Sequence, residues 1–297
     1  MTNEELKKLA PVERLKFWVK ERHQIYLKRQ AGLPKPWSTN EIMQTCYFTN
    51  VYRELDKTTV WFREQFRDPL KNAKEVVFGT IAFRWFNWIP TGRLLQGSGL
   101  LTKWNTEKAM TLLGNYQKQN DCQLFTGAFN ISNSGSKDPK LKRVCEAYIQ
   151  PAWDALDMIA SEFARGRYEQ KLTLEQAFEL IGELPGLGGS GFMAAQVICD
   201  LAYTPWLENC KDWWTWCSPG PGSKRGVNCV LGRDPDGPDP PYFLEEIAYH
   251  TDLLNAYFKG RYPRLHARDV QNCFCELSKF ERVLWGRGKP KRNYPGA

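Results

Sequence analysis

No stretch of this 297-residue chain approaches the roughly 20 uninterrupted apolar residues that a helical membrane span requires. Its opening, "MTNEELKKLAPVERLKFWVKERHQIYLKRQ", is charged where a signal peptide is apolar, so a cytoplasmic protein with no membrane partner is expected. The pattern G-x-x-x-x-G-K-[ST] is missing, which counts against ATP hydrolysis by the P-loop route. The nine cysteines are scattered, odd in number and without the paired spacing of a structural zinc site; free thiols and no zinc or other metal ligand set are expected among them. Alternating strands around Asn-Gly or Asp-Gly turns are lacking too, which removes hairpin-built β folds.

What is present is positive charge, aromatic side chains and helical periodicity. The net charge is +8, and from Lys259 to Arg292 about ten Lys or Arg stand against about three acids, which suits a polyanionic partner. Twelve tryptophans and sixteen phenylalanines recur beside polar groups, as in "FRWFNW" (83–88) and "KDWWTW" (211–216), a pattern that serves a core and also stacking on unpaired bases. Apolar residues repeat at helical spacing over 4–30, 50–67, 70–88, 106–119, 139–165, 172–184, 243–258 and 267–284. The chain reads as mainly α. A long Pro- and Gly-rich stretch, 216–242, reads as an ordered functional loop.

The string "GLGGSG" at Gly186–Gly191 satisfies the dinucleotide pattern G-x-G-x-x-G, but that fingerprint needs a β-strand before its first glycine. Here an amphipathic helix precedes it, with Thr173 placed to cap and Gln176 three residues on, and a second helix follows from about Ser190 with Phe192, Ala195, Ile198 and Leu201 able to face inward. Helix, glycine turn, helix with an L-P-G-L-G start resembles the helix-hairpin-helix of base-excision DNA glycosylases. That resemblance implies two helical lobes flanking a cleft, Gly186, Gly188, Gly189 and Ser190 against a DNA phosphate, and an aspartate about two dozen residues on. Asp212 stands at that distance, without the usual Val-Asp-Thr-His context and without a lysine in the hairpin. The two lobes are expected over 61–202 and over 1–60 with 203–297.

Four further segments carry a narrower resemblance: "ERHQIYLKRQAGLPKPWSTNEI" (21–42), "FTNVYRELDKTT" (48–59), "CSPGPGSKRGVNCVLG" (217–232) and "RDVQNCFCELSKFERVLWGRGKPKRNY" (268–294). Together they resemble the helical enzymes of thymidine hypermodification in phage DNA, the α-glutamyl/putrescinyl-thymine pyrophosphorylases, viewed as amino acid:DNA transferases, and the helical part of 5-hydroxymethyluracil DNA kinases. The resemblance implies that an amino acid or polyamine displaces pyrophosphate from an activated 5-hydroxymethyluracil in DNA. It identifies no cofactor and leaves a divalent metal open.

Such chemistry needs cations where pyrophosphate leaves, and Ser223, Lys224 and Arg225 in the Gly-Pro-Gly stretch, with Arg22, Arg29, Arg53 and Lys279, are the candidates. An amine must also lose a proton, for which Asp212, Asp56, Glu276 and His23 are the candidates, in that order. The target base is expected to flip out, with Phe48, Phe86 and Phe125 holding it and Asn50 or Asn87 reading its edge. Arg53 with Asp56 also reads as a surface pair on one helix. The competing expectations are a base-excision glycosylase and a non-catalytic DNA-binding partner of a 5-hydroxymethyluracil DNA kinase.

Overall fold

A computed structural model describes residues 1–131, 133, 135–168, 171–189, 191–289 and 293–294. Among them no β-strand forms, and the one extended pairing is an isolated bridge between Cys46 and Asn293. The mainly α expectation therefore stands. The chain divides into two compact units, Met1–Asp56 with Trp214–Ala297, and Lys57–Trp213. No helix among the described residues is long and apolar enough to cross a membrane.

The first unit holds α1 (Asn3–Lys7), α2 (Pro11–Gln30), α3 (Glu41–Thr45), α13 (Pro221–Val230), α14 (Phe243–Phe258) and α15 (Ala267–Leu284), numbered along the chain. Pro11 separates α1 from α2, because proline suits a first helical turn and not an interior. α15 is the hub, packing on α2, α3, α13 and α14. Its apolar face, with Phe274, Leu277 and Phe280, joins Leu15, Trp18 and Phe48 in one core.

The expected loop at 216–242 is in part a helix. Pro221 occupies a first-turn position of α13, and the Ser223 hydroxyl bonds the Gly220 backbone at both its N–H (3.1 Å) and its carbonyl (2.9 Å). Gly222 and Gly226, one turn apart, lie against α15: a Cβ at Gly226 would stand 2.0 Å from the Phe274 carbonyl oxygen, and one at Gly222 2.5 Å from Cys275 Sγ. The glycines that look like loop formers in the sequence let two helices touch backbone to backbone.

The second unit holds α4 (Lys57–Phe62), α5 (Ala73–Phe86), α6 (Ile89–Gly97), α7 (Thr106–Asn120), α8 (Lys140–Arg143), α9 (Gln150–Asp154), α10 (Leu156–Tyr168), α11 (Leu174–Gly182) and α12 (Phe192–Leu201). The helix expected over 50–67 breaks up: Arg53–Leu55 is a 3₁₀ turn, and α4 widens into a π-helical turn over Arg63–Arg67. Every residue of α5 from Val76 to Phe86 is buried, so α5 runs through the unit's interior against α10 and α12. Thr173 and Gln176 close the expected capping box on α11. On α12 the inward side is Met193, Ala194, Val197, Ile198 and Leu201, whereas Phe192 is exposed and Ala195 half-buried.

Candidate functional site

Four polar residues of α15 form a stripe. Asp269, Asn272, Glu276 and Lys279 recur at three- and four-residue spacing, which puts them on one side of the helix. Against this stripe lies the segment from Phe48 to Arg53, which has no ladder of its own and takes its hydrogen bonds from α15. Glu276 Oε2 accepts the Thr49 N–H (3.3 Å), Asn272 Nδ2 donates to the Asn50 carbonyl (3.2 Å), and Asp269 Oδ1 accepts the Arg53 N–H (3.0 Å). Buried backbone must be paired, and here side chains do the pairing.

From the other side, α2 contributes Arg22, which is fully buried. Its Nε donates to the Phe48 and Thr49 carbonyls (3.0 and 2.9 Å) and its Nη2 to Asn50 Oδ1 (2.5 Å). Its Nη1 finds no partner among the described residues. Asn50 in turn donates from Nδ2 to the Leu55 carbonyl (2.6 Å) and from its N–H to Asp56 Oδ1 (3.0 Å). Arg22, Asn50 and Glu276, all buried, thus form one polar cluster with the half-buried Asp56, and Lys279 closes it by pairing with Glu276 Oε1.

Burial pushes the Asp56 carboxyl up to about 6, with Glu276 adding to the rise and the Asn50 N–H, Arg53 and Arg22 working against it. Burial acts against the charge of Lys279, but Glu276 and Cys275 outweigh it and leave the ammonium above its ordinary value. The result is a carboxyl poised to exchange a proton near neutrality beside fixed cations, the pairing that general acid–base chemistry uses.

Lys279 also reaches a cavity of about 840 Å³ on the same unit, walled by α13, the turn after it and the end of α15. Arg14, Arg225, Arg233, Lys279, Arg282 and Arg287 line it.

Other expected residues of this unit are placed differently. His23 is boxed by Tyr26, Tyr52 and Tyr262, and burial, with Arg22 next to it, lowers it to about 4, so it stands neutral at pH 7. Phe48 is a core ring, edge-on to Trp18 and Phe280, rather than a base-holding face. Ser223 is buried against α15, where it receives Gln271 Nε2 (3.1 Å), so it offers no open phosphate nest. Lys224 pairs with Asp239 (2.5 Å) and Arg225 with Asp236 (2.9 Å). Arg29 is exposed between the rings of Trp37 and Tyr294.

In the second unit, Asp212 accepts the N–H groups of Leu174 (2.7 Å) and Glu175 (3.0 Å) and lies 3.2 Å from Cys210 Sγ. It caps the start of α11, a role its position in sequence did not show. Phe86 is buried and stacked on Phe125, over which Lys140 sits. Asn87 ends α5 in a left-handed conformation and accepts from Arg84 Nη1 (2.8 Å). Gly186, Gly189 and Gly191 take positive φ between α11 and α12, and a Cβ at Gly188 would stand 2.6 Å from the Gly182 carbonyl oxygen. Ser190 lies outside the described residues. Among the described residues no group of three His, Cys, Asp or Glu side chains forms a metal-ligand set.

The residues the sequence reading missed are Thr49, Asp269 and Asn272 in the cluster, and Arg14, Arg233, Arg282 and Arg287 in the cavity. The spacing along 269–279 was a usable signal, since an uninterrupted polar stripe is unusual on a helix that is otherwise buried. No local pattern marks the cavity arginines.

Residues 11–289 match the family described as "5-hmdU DNA kinase, helical domain". The chain belongs to that family. A 5-hmdU DNA kinase of Bacillus phage SP10 is 25% identical over 308 residues, covering 92% of this chain and 46% of the phage protein. The chain therefore spans about half the length of that relative. No solved structure matches it.

Proposed function

We propose that this helical-domain protein modifies thymine-derived bases in DNA, transferring an amino acid or polyamine onto a pyrophosphorylated 5-hydroxymethyluracil. The observation that carries the reading is the cluster of Asp56, Glu276, Arg22 and Lys279, which supplies a proton acceptor and cations within one unit. Membership of a kinase-related family and the relative's named substrate class support the choice of base.

In the proposed step the neutral amine nitrogen attacks the exocyclic methylene carbon of the base. The new C–N bond forms as the C–O bond breaks, and pyrophosphate departs with that electron pair. The proton released by the amine passes to Asp56 or, through it, to solvent, and positive charge held by Lys279 and Arg53 meets the growing negative charge. In this assignment Asp56 takes the place first given to Asp212, whose oxygens are committed to α11. The turn between α11 and α12 is proposed as a helix-hairpin-helix that holds the DNA backbone without reading sequence.

Incubating the protein with DNA carrying the pyrophosphorylated base and a panel of amino acids and polyamines, then digesting to nucleosides for mass analysis, tests the reading. A new nucleoside with release of pyrophosphate is expected; unchanged nucleosides with every donor would overturn it. The second reading, a DNA-holding partner of a separate kinase, is favoured by the match to a kinase's helical portion alone. It predicts salt-dependent DNA binding and co-purification with a P-loop kinase, with no change to DNA by this chain on its own.

A further inference from the structure

The cavity beside Lys279 carries more positive charge than its own carboxylates neutralise. Glu281 is held by Arg14 (2.6 Å) and Asp236 by Arg225 (2.9 Å), which leaves Asp234 against Arg233, Arg282 and Arg287. None of these three arginines pairs with a carboxylate among the described residues. Arg282 Nε is buried beside Gly288 and has no hydrogen-bond partner there.

The backbone around Arg282 is built to hold it in place. α15 ends in a left-handed Gly286, the Arg287 N–H bonds the Arg282 carbonyl (2.8 Å), and the chain turns so that Gly288 lies on the Arg282 side chain. A Cβ at Gly288 would stand 3.0 Å from Arg282 Cδ. Trp285, exposed beside Arg14 and tied to Glu281 by its Nε1 (2.7 Å), adds a flat apolar face at the rim.

We propose that this cavity binds an oligophosphate, two or more linked phosphoryl groups, as in inorganic pyrophosphate or the diphosphate of a nucleotide. Guanidinium groups offer paired N–H donors that match phosphoryl oxygens, and arginines drawn from two walls suit charge spread over linked groups better than a single phosphate. The volume falls in the range of small-molecule sites, roughly 300–1,000 Å³. The proposal rests on the transfer reading for the source of the ligand, because Lys279 joins the cavity to Glu276, where pyrophosphate would leave.

Isothermal titration of the full chain with pyrophosphate, orthophosphate, ADP and a single-stranded oligonucleotide tests it. Pyrophosphate is expected to bind at least about tenfold more tightly than orthophosphate, and Arg282→Gln and Arg287→Gln each to weaken it by about tenfold, with Lys118→Gln as an unchanged charge control. Arg287 is exposed, so its variant carries the test even where Arg282→Gln fails to fold. Tighter binding of ADP than of pyrophosphate would assign the site to a nucleotide, with Trp285 under the base, and still support it. Equal affinity for pyrophosphate and orthophosphate, binding of the oligonucleotide alone, or variants that bind like wild type would each overturn it. Pyrophosphate binding without any new nucleoside would sink the transfer reading and leave the cavity standing. A new nucleoside made at an unchanged rate by both arginine variants would do the reverse.

Discussion

Glu276 and Lys279 stand one turn apart on α15 and form an ion pair whose carboxylate is buried and whose ammonium is half exposed at the cavity. The pair connects the cluster around Asp56 and Glu276 to the cationic cavity. Lys279→Met should therefore do two things at once: leave Glu276 buried without its cation, costing roughly 1 kcal/mol given the exposure of the lysine, and slow transfer. Urea unfolding midpoints and nucleoside analysis on the same preparation check both, and a fully active Lys279→Met would separate the cavity from the chemistry.

Asp56 makes the pH dependence explicit. Its folded pKa, about 6, lies above the ordinary 3.8, so its contribution to stability is present below the ordinary value and lost as pH rises through about 6. Asp56→Asn should be more stable than wild type at pH 7.5, by about 1–2 kcal/mol after allowance for its partial exposure, with the advantage vanishing near pH 4. Under the proposed reaction, transfer by the wild type should rise with pH to a plateau with a midpoint near 6, and the variant should lose about 100-fold or more. Unfolding at the two pH values and a pH–rate profile are the measurements.

For Asp212 a structural phenotype is expected. Its carboxylate satisfies two N–H groups at the start of α11, so Asp212→Ala should cost about 1–2 kcal/mol. The transfer rate of the folded variant should stay within about twofold. A stable but inactive Asp212→Asn would return the general base to this residue and remove it from Asp56.

Arg84 and Asp200 form a buried bidentate pair in the second unit, with both contacts at 2.5 Å, and Arg84 Nη2 also donates to Thr59 Oγ1 (3.0 Å). Removing one partner strands a buried charge, so Arg84→Met or Asp200→Leu alone should cost about 3–5 kcal/mol. The double replacement should recover most of that loss. Thermal unfolding of the four proteins in a double-mutant cycle gives the coupling.

Much of the local structure was legible in the sequence. The 3.6-residue period marked Phe243–Phe258 and Ala267–Leu284 at both ends, and Thr173 with Gln176 announced the cap of α11. Glu276, Lys279, Asp56, Arg22 and Asn50 stand out in the sequence by residue type, although nothing in the sequence places them together. Asp212 and Asn87 show the opposite case: their residue types suit catalysis and base reading, and their neighbours give them helix ends to hold.

Helix periods and local caps such as Thr173 with Gln176 were determined by the sequence itself, because each depends on side chains within a turn or two of one another. The pairing of Phe48–Arg53 with a helix more than two hundred residues away, the burial that lifts Asp56, and the approach of Gly226 to Phe274 that makes a helix of "PGSKRG" were decided only by the tertiary structure. Those depend on which surfaces exclude water from one another, and spacing along the chain carries no record of that.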